Sequence, residues 1–116
     1  MAKIYTIDAR DVETGIGEQV ITVRLIKQGR EILVAACDKE TLGHTYREGD
    51  LKLEVSKEFY EGEDGGEELL VNRLNMCTMA NLVGERTCRI AAKHKFIEED
   101  CVITIQGVPH AQMFRW

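Results

Sequence analysis

Apolar and polar residues alternate with a period of two over residues 19–27, placing Ile21, Val23 and Leu25 on one side. The same alternation returns over residues 30–37 with Ile32, Val34 and Ala36. A period of two marks a half-buried strand. Gln28-Gly29 separates the two runs, and glycine supplies the positive φ of a two-residue turn, so they read as an antiparallel hairpin. Residues 3–8 (KIYTID) make a shorter β-rich start, and residues 10–18 a glycine- and acid-bearing loop. Asp38 is placed to cap a short helical turn through Leu42. Gly43 and Gly49 break the chain ahead of another alternating run, residues 51–55.

The period then lengthens. Asp64-Gly65-Gly66-Glu67 has the spacing of a capping box, an acid followed three positions later by a glutamate. After it, Leu70, Leu74 and Cys77 recur at i, i+4 and i+7 with Val71 and the Met76/Met79 flank, which predicts a helix with one buried face. Gly84 marks an end or a kink. Residues 85–95 read as a second helix, acidic at the start and basic at Lys93-His94-Lys95, as the helix dipole favours. Phe96-Ile97 packs back, Glu98-Glu99-Asp100 turns, and residues 101–116 close the chain as a hairpin turning at Gln106-Gly107. Strands, then helices, then strands predict an α+β fold: two layers, a mostly antiparallel sheet with two main helices on one face. With no repeat, low-complexity tract or linker, residues 1–116 read as one α+β domain, the first 18 a variable strand and loop.

Composition narrows the function classes. A chain of 116 residues that is 44% hydrophobic can bury a core without staples. A formal charge of −5 argues against the whole surface attracting nucleic acid or anionic lipid. No apolar run approaches a membrane span, and Met1-Ala2-Lys3 leads into a strand, so a cytoplasmic protein without membrane contact is expected. Cys37, Cys77, Cys88 and Cys101 form no C-x-x-C pair and match no zinc spacing, so they read as small buried hydrophobes. No metal or cofactor is expected. Few asparagines and glutamines among many glutamates, lysines and arginines lean towards a thermophile.

Four features carry candidate chemistry. Pro109, His110 and Gln112 follow the terminal turn; His110 there could accept, donate or ligate near neutral pH, with Gln112 on the same strand face. The plainer account is a turn proline and a half-exposed edge histidine. Asn81 to Glu85 reads as a break between two helices whose following amides could hold an anion, although Glu85 would repel one. A C-cap at Asn81 and an N-terminal acid at Glu85 explain the same residues. Arg86, Arg89 and Lys93 share a helix face that could touch RNA phosphates or an acidic partner, or be a solvated face paired with local glutamates. Cys37, with His44 seven residues on, could be a thiolate and its base, yet Asp38 opposes thiolate formation. The acidic residues 61–68 and 98–100 lack the alternating ligands of a calcium loop.

Several segments together resemble a known family. Leu42-Gly43, Tyr46-Arg47-Glu48-Gly49, Leu51-x-Leu53-Glu54-Val55, Ala80-Asn81-Leu82-Val83-Gly84-Glu85 and Gly107-Val108-Pro109-His110-Ala111-Gln112 are similar, in this order, to the archaeal family called domain of unknown function 424. The likeness spans most of residues 20–115 and none of the first eighteen. It implies a small archaeal protein with a compact α/β domain and carries over no catalytic or binding residue. The expected function is a non-catalytic binding or adaptor protein in archaeal housekeeping, with a protein or RNA partner. A homodimer through the C-terminal hairpin is expected from Met113, Phe114 and Trp116, whose alternating directions one layer cannot cover. The competing class is a small enzyme using His110 with a cysteine or carboxylate partner.

Overall fold

The computed structural model describes residues 20–115; the expected strand at 3–8, the loop at 10–18 and Trp116 lie outside the described residues. The alternating runs form β1 (Ile21–Gln28) and β2 (Glu31–Asp38), paired antiparallel as expected. The turn is Gly29-Arg30, one residue later than Gln28-Gly29, so Val23 faces Ala36 and Leu25 faces Val34. That moves the register by two residues, which leaves every side chain on its expected face. Gly29, at φ +61°, takes the first central position of the turn, where a side chain is disfavoured.

A six-stranded sheet grows from this hairpin. It adds β5 (Glu63–Gly65), β6 (Met79–Val83), β7 (Ile103–Ile105) and β8 (Val108–Phe114) in the order β5-β1-β2-β6-β8-β7. Among the described residues only the β2 and β6 neighbours run parallel. The fold is therefore α+β with a mostly antiparallel sheet. Residues 79–83 correct the expected break between helices: they form an inner strand, with Leu82 and Val83 fully buried on opposite faces. The terminal strand is corrected too. β8 lies between β6 and β7, and the edge falls to the three-residue β7.

The two main helices, α2 (Glu67–Met76) and α3 (Glu85–Lys93), cover one face. Leu70, Leu74 and Cys77 pack there against Ile21, Val34, Ala36 and Leu82, as the helical period predicts. A leucine buried in this way stabilises by about 2 kcal/mol. No capping box forms: α2 starts behind Gly66, while Asp64 is held in β5 opposite Thr22 and reaches Lys39 at 2.8 Å. The opposite face was not foreseen to be covered. β3 (Thr45–Glu48) and β4 (Leu51–Glu54) form a separate hairpin, and α1 (Lys57–Tyr60) follows, capped by the Ser56 hydroxyl. Leu53, Val55 and Tyr60 pack on Ala35, Cys37, Val83 and Ile105, closing one end of this face. Among the described residues no helix is long and apolar enough to cross a membrane.

Candidate functional site

The two arms of the expected anion-binding break serve different purposes. α3 begins behind Gly84, which offers no capping side chain, so its first amides must find acceptors elsewhere. Asp38 supplies them from the end of β2. Its Oδ2 accepts from the Arg86 amide at 3.1 Å, and its Oδ1 accepts from the Thr87 amide and hydroxyl at 2.9 Å each. The expected role of Asp38 at the short helical turn Lys39–Thr41 is thereby corrected, because its carboxylate makes no hydrogen bond there. Burial pushes the Asp38 carboxyl up, and the hydrogen bonds from Arg86 and Thr87 pull it back. Gly84, at φ +106°, makes this approach feasible: a Cβ there would lie 2.3 Å from the Asp38 carboxyl carbon. The protein's own carboxylate thus fills the anion site.

The basic stripe is also engaged. Arg86 lies 3.0 Å from Glu40 and 3.7 Å from Asp38, Lys93 lies 2.9 Å from Glu67, and Arg89 has a partner of its own. His94 joins Glu67 at 2.6 Å, and the Lys93 and His94 bonds hold the Glu67 carboxyl below its ordinary range. Glu85 is exposed at the start of α3, beside a groove that also takes in Arg89, Lys93, Val102 and Pro109.

His110, Asn81 and Gln112 lie on the other face, where β8 runs beside β6. Register places Val83 opposite His110, Asn81 opposite Gln112, and Met79 opposite Phe114. The Gln112 amide donates to the Asn81 side-chain oxygen at 2.9 Å. His110 is half-buried, its Nε2 is enclosed without a hydrogen-bond partner, and burial holds its pKa below the ordinary histidine value. Pro109 is not at an edge. Its carbonyl accepts from the Gly84 amide at 2.9 Å just where β6 ends, and the Gly84 carbonyl accepts from the Cys88 amide of α3 at 3.0 Å, so the missing proline N–H leaves that carbonyl with a partner. His110 and Asn81 therefore share a surface that Glu85, Arg86, Arg89 and Lys93 do not reach.

Cys101 corrects the expectation of four buried cysteines, because it is exposed, while the other three thiols are buried and unsuited to nucleophilic work. Burial pushes Cys37 up to about 11 and Cys88 up to about 12, and raises Cys77 as well. Cys37 sits under the hairpin among Val55, Tyr60 and Val83. Among the described residues no three His, Cys, Asp or Glu side chains converge on a metal-sized site.

Sequence reasoning missed Thr87 and the exposed Phe114 row. In that row Leu33 of β2 faces Met79 of β6, which faces Phe114 of β8. Leu33 and Met79 are half-buried, and Phe114 is 56% exposed. The period of two had put Phe114 opposite in direction to Met113, and Met113 is indeed buried against the helices. What the sequence lacked was the neighbouring strand that supplies Met79.

The segments that carried the family resemblance gather around this second face. Leu42, Tyr46, Leu53 and Val55 pack with Val83 and Val108. The Arg47 amide donates to the Gln106 side chain at 2.8 Å, and the Gln106 amide donates back to Glu48 at 2.6 Å, tying the hairpin to the terminal turn.

Comparison with known proteins agrees with this arrangement. The family model described as "Protein of unknown function (DUF424)" matches residues 26–116. A solved structure, "Crystal structure of an uncharacterized conserved protein from Methanopyrus kandleri", shares the fold with a TM-score of 0.71 at 22% identity. The alignment covers 82% of this chain and 90% of that one. No curated protein matches.

Proposed function

The chain belongs to the DUF424 family of unknown function, and from that premise we propose that it is a non-catalytic binding protein whose contact surface is the open part of the face shared by β6 and β8. An adaptor role in an archaeal cytoplasm is the setting that goes with it. One observation carries the reading: Phe114 is 56% exposed at the end of an unbroken apolar row with Met79 and Leu33, beside the Asn81 and Gln112 amides. An apolar row bordered by uncharged polar groups is the composition of an interface centre with its rim. A protein partner fits better than RNA. Phosphate contacts need lysine or arginine, and Arg24, the cation among the β1, β2, β6 and β8 side chains of this face, gives its guanidinium to the Glu58 carbonyl.

The enzyme alternative rests on the unpartnered Nε2 of His110. The thiols of Cys37, Cys77 and Cys88 are buried and shifted away from the thiolate, and Glu85 is on the far side of the sheet, so none of these four serves it. A photo-activatable phenylalanine analogue at position 114, with Glu68 on α2 as the control position, tests the reading in native extract. A protein adduct from position 114 and not from 68 is expected. Equal labelling from both, or adducts to RNA alone, would overturn it.

A further inference from the structure

His110 is placed where a proton finds no partner. It lies on the hairpin face between Val83 of β6 and Ile103 of β7, the residues opposite it in register. Its Nε2 is enclosed and makes no hydrogen bond. A neutral imidazole tolerates that, because one of its nitrogens is a bare acceptor. The imidazolium carries a donor on both nitrogens. Charging the ring in place would hold an unpaired N–H and a positive charge away from water, and a buried charge without a partner is strongly unfavourable.

No opposite charge stands close enough to offset this. Among the described residues of this face, β6 flanks the ring with Asn81 and Val83, β7 with Ile103, and β8 itself with Val108 and Gln112. Beyond Val83 the row continues to Cys37 of β2, whose thiol burial keeps protonated. The β3 and β4 hairpin presents Tyr46, a phenol that burial also keeps protonated, and Glu48, which accepts from the Gln106 amide. α3 packs on β8 from the opposite side, with Glu85, Arg86, Arg89 and Lys93 beyond the strand layer. Burial lowers the His110 pKa, and no charge contributes.

The two sides of the ring are held unequally. β6 is an inner strand, paired with β2 as well as β8. β7 has three residues, and among the described residues β8 is its one strand neighbour. Ile103, opposite His110, is 48% exposed. At the other end of β7 the turn is held by the bonds of Gln106 to Arg47 and Glu48. The strand is therefore weakest at Ile103.

From the enclosed Nε2, the lack of a facing charge and the short edge strand we infer that His110 is an acid-sensitive latch, whose protonation parts β7 from β8 at Ile103 and lets water reach the ring. The sign follows from the burial. A base whose pKa is lower in the closed edge than in the open one binds its proton more tightly when open. The closed edge is at full stability above the ordinary histidine value of 6.5, and loses it as pH falls from there through the lower closed-state value. One proton limits the change to about tenfold in the opening equilibrium per pH unit.

Hydrogen exchange of the full chain at about pH 7.5 and about pH 5, on either side of the ordinary histidine range, tests the latch. Each rate is divided by that of the unfolded chain at the same pH. The Ile103 amide is expected to lose protection in acid, by up to about tenfold for each pH unit below 6.5, while Val34 in the inner strand β2 keeps its own. His110→Leu and His110→Gln remove the titrating group, and in whichever of them folds the Ile103 protection is expected to be the same at both pH values. Steady protection at Ile103 in the wild type would overturn the inference, because the ring then finds water without the strand. An equal loss at Val34, or the same loss in a folded variant, would overturn it too, since the acid would be acting on other groups.

Discussion

Asp38 caps a helix whose own N-cap position holds a glycine, and the two residues depend on each other. The carboxylate replaces water at two backbone amides and one hydroxyl in a place that solvent does not reach. Removing it leaves those groups without partners, at a cost of the order of a charge-assisted hydrogen bond and more. Asp38→Ala is therefore expected to destabilise the fold by about 3 kcal/mol, read as a shift of the urea midpoint at unchanged slope. Asp38→Asn keeps one carbonyl acceptor and is expected to lose less. A midpoint shift for Asp38→Ala no larger than that for an exposed alanine substitution would show that the helix start is served by something else. Little of this was legible. The sequence offers Asp38 as a local cap, and the true recipient lies 49 positions further on, a separation no local rule spans. Gly84 was a visible irregularity, but its reason is a contact made in three dimensions.

Elements were legible where a period ran long enough. The β1 and β2 hairpin and the buried stripe of α2 each extend over many residues, so their faces could be assigned before their ends. The five residues of β6 are too few to separate a strand from a stretch of buried helix, and the preceding helix period carried on through Met79. β3 has one inward apolar residue, Tyr46, so no alternation announces it. The end of α3 shows the same limit on a finer scale. The basic Lys93-His94-Lys95 suits a helix C-terminus, yet the helix stops at Lys93 because Lys95 takes φ +65°. The Lys95 amide donates to the Ala92 carbonyl and the Phe96 amide to the Ala91 carbonyl, the paired bonds of a Schellman ending, with Phe96 packed on the core. A lysine in that conformation gives up about 1 kcal/mol relative to glycine. Lys95→Gly is expected to raise stability by about that amount in thermal unfolding, because the side chain is exposed and makes no bond the ending needs. A loss of stability instead would mean that the lysine side chain matters more than its backbone angle.

The whole molecule is organised around one seam. Among the described residues β2 and β6 are the only parallel neighbours in the sheet, and they join the first half of the chain, with β5, β1, β2 and the second hairpin, to the second half, with β6, β8, β7 and both main helices. Several kinds of contact cross it. The strands pair from Leu33 with Met79 to Cys37 with Val83, Asp38 holds the start of α3, and the Arg47 and Glu48 bonds tie the hairpin to Gln106. Leu70 and Leu74 add to these, because they lie in the second half yet pack on Ile21 and Val34 of the first. Neither half can satisfy its inner strand or cover its apolar face alone, since an unpaired inner strand exposes both its backbone groups and its buried side chains. Residues 67–116 expressed alone are therefore expected to be largely unfolded by circular dichroism, and residues 1–66 likewise. Mixing the two fragments is expected to restore the β-sheet spectrum, because every cross-seam contact is non-covalent. Asp38→Ala in the first fragment should weaken that recovery by about 100-fold in apparent affinity, the equivalent of about 3 kcal/mol. A second fragment that folded cooperatively by itself would show that the helices need only β6, β7 and β8, and that the parallel seam is a later attachment rather than the place where the fold is decided.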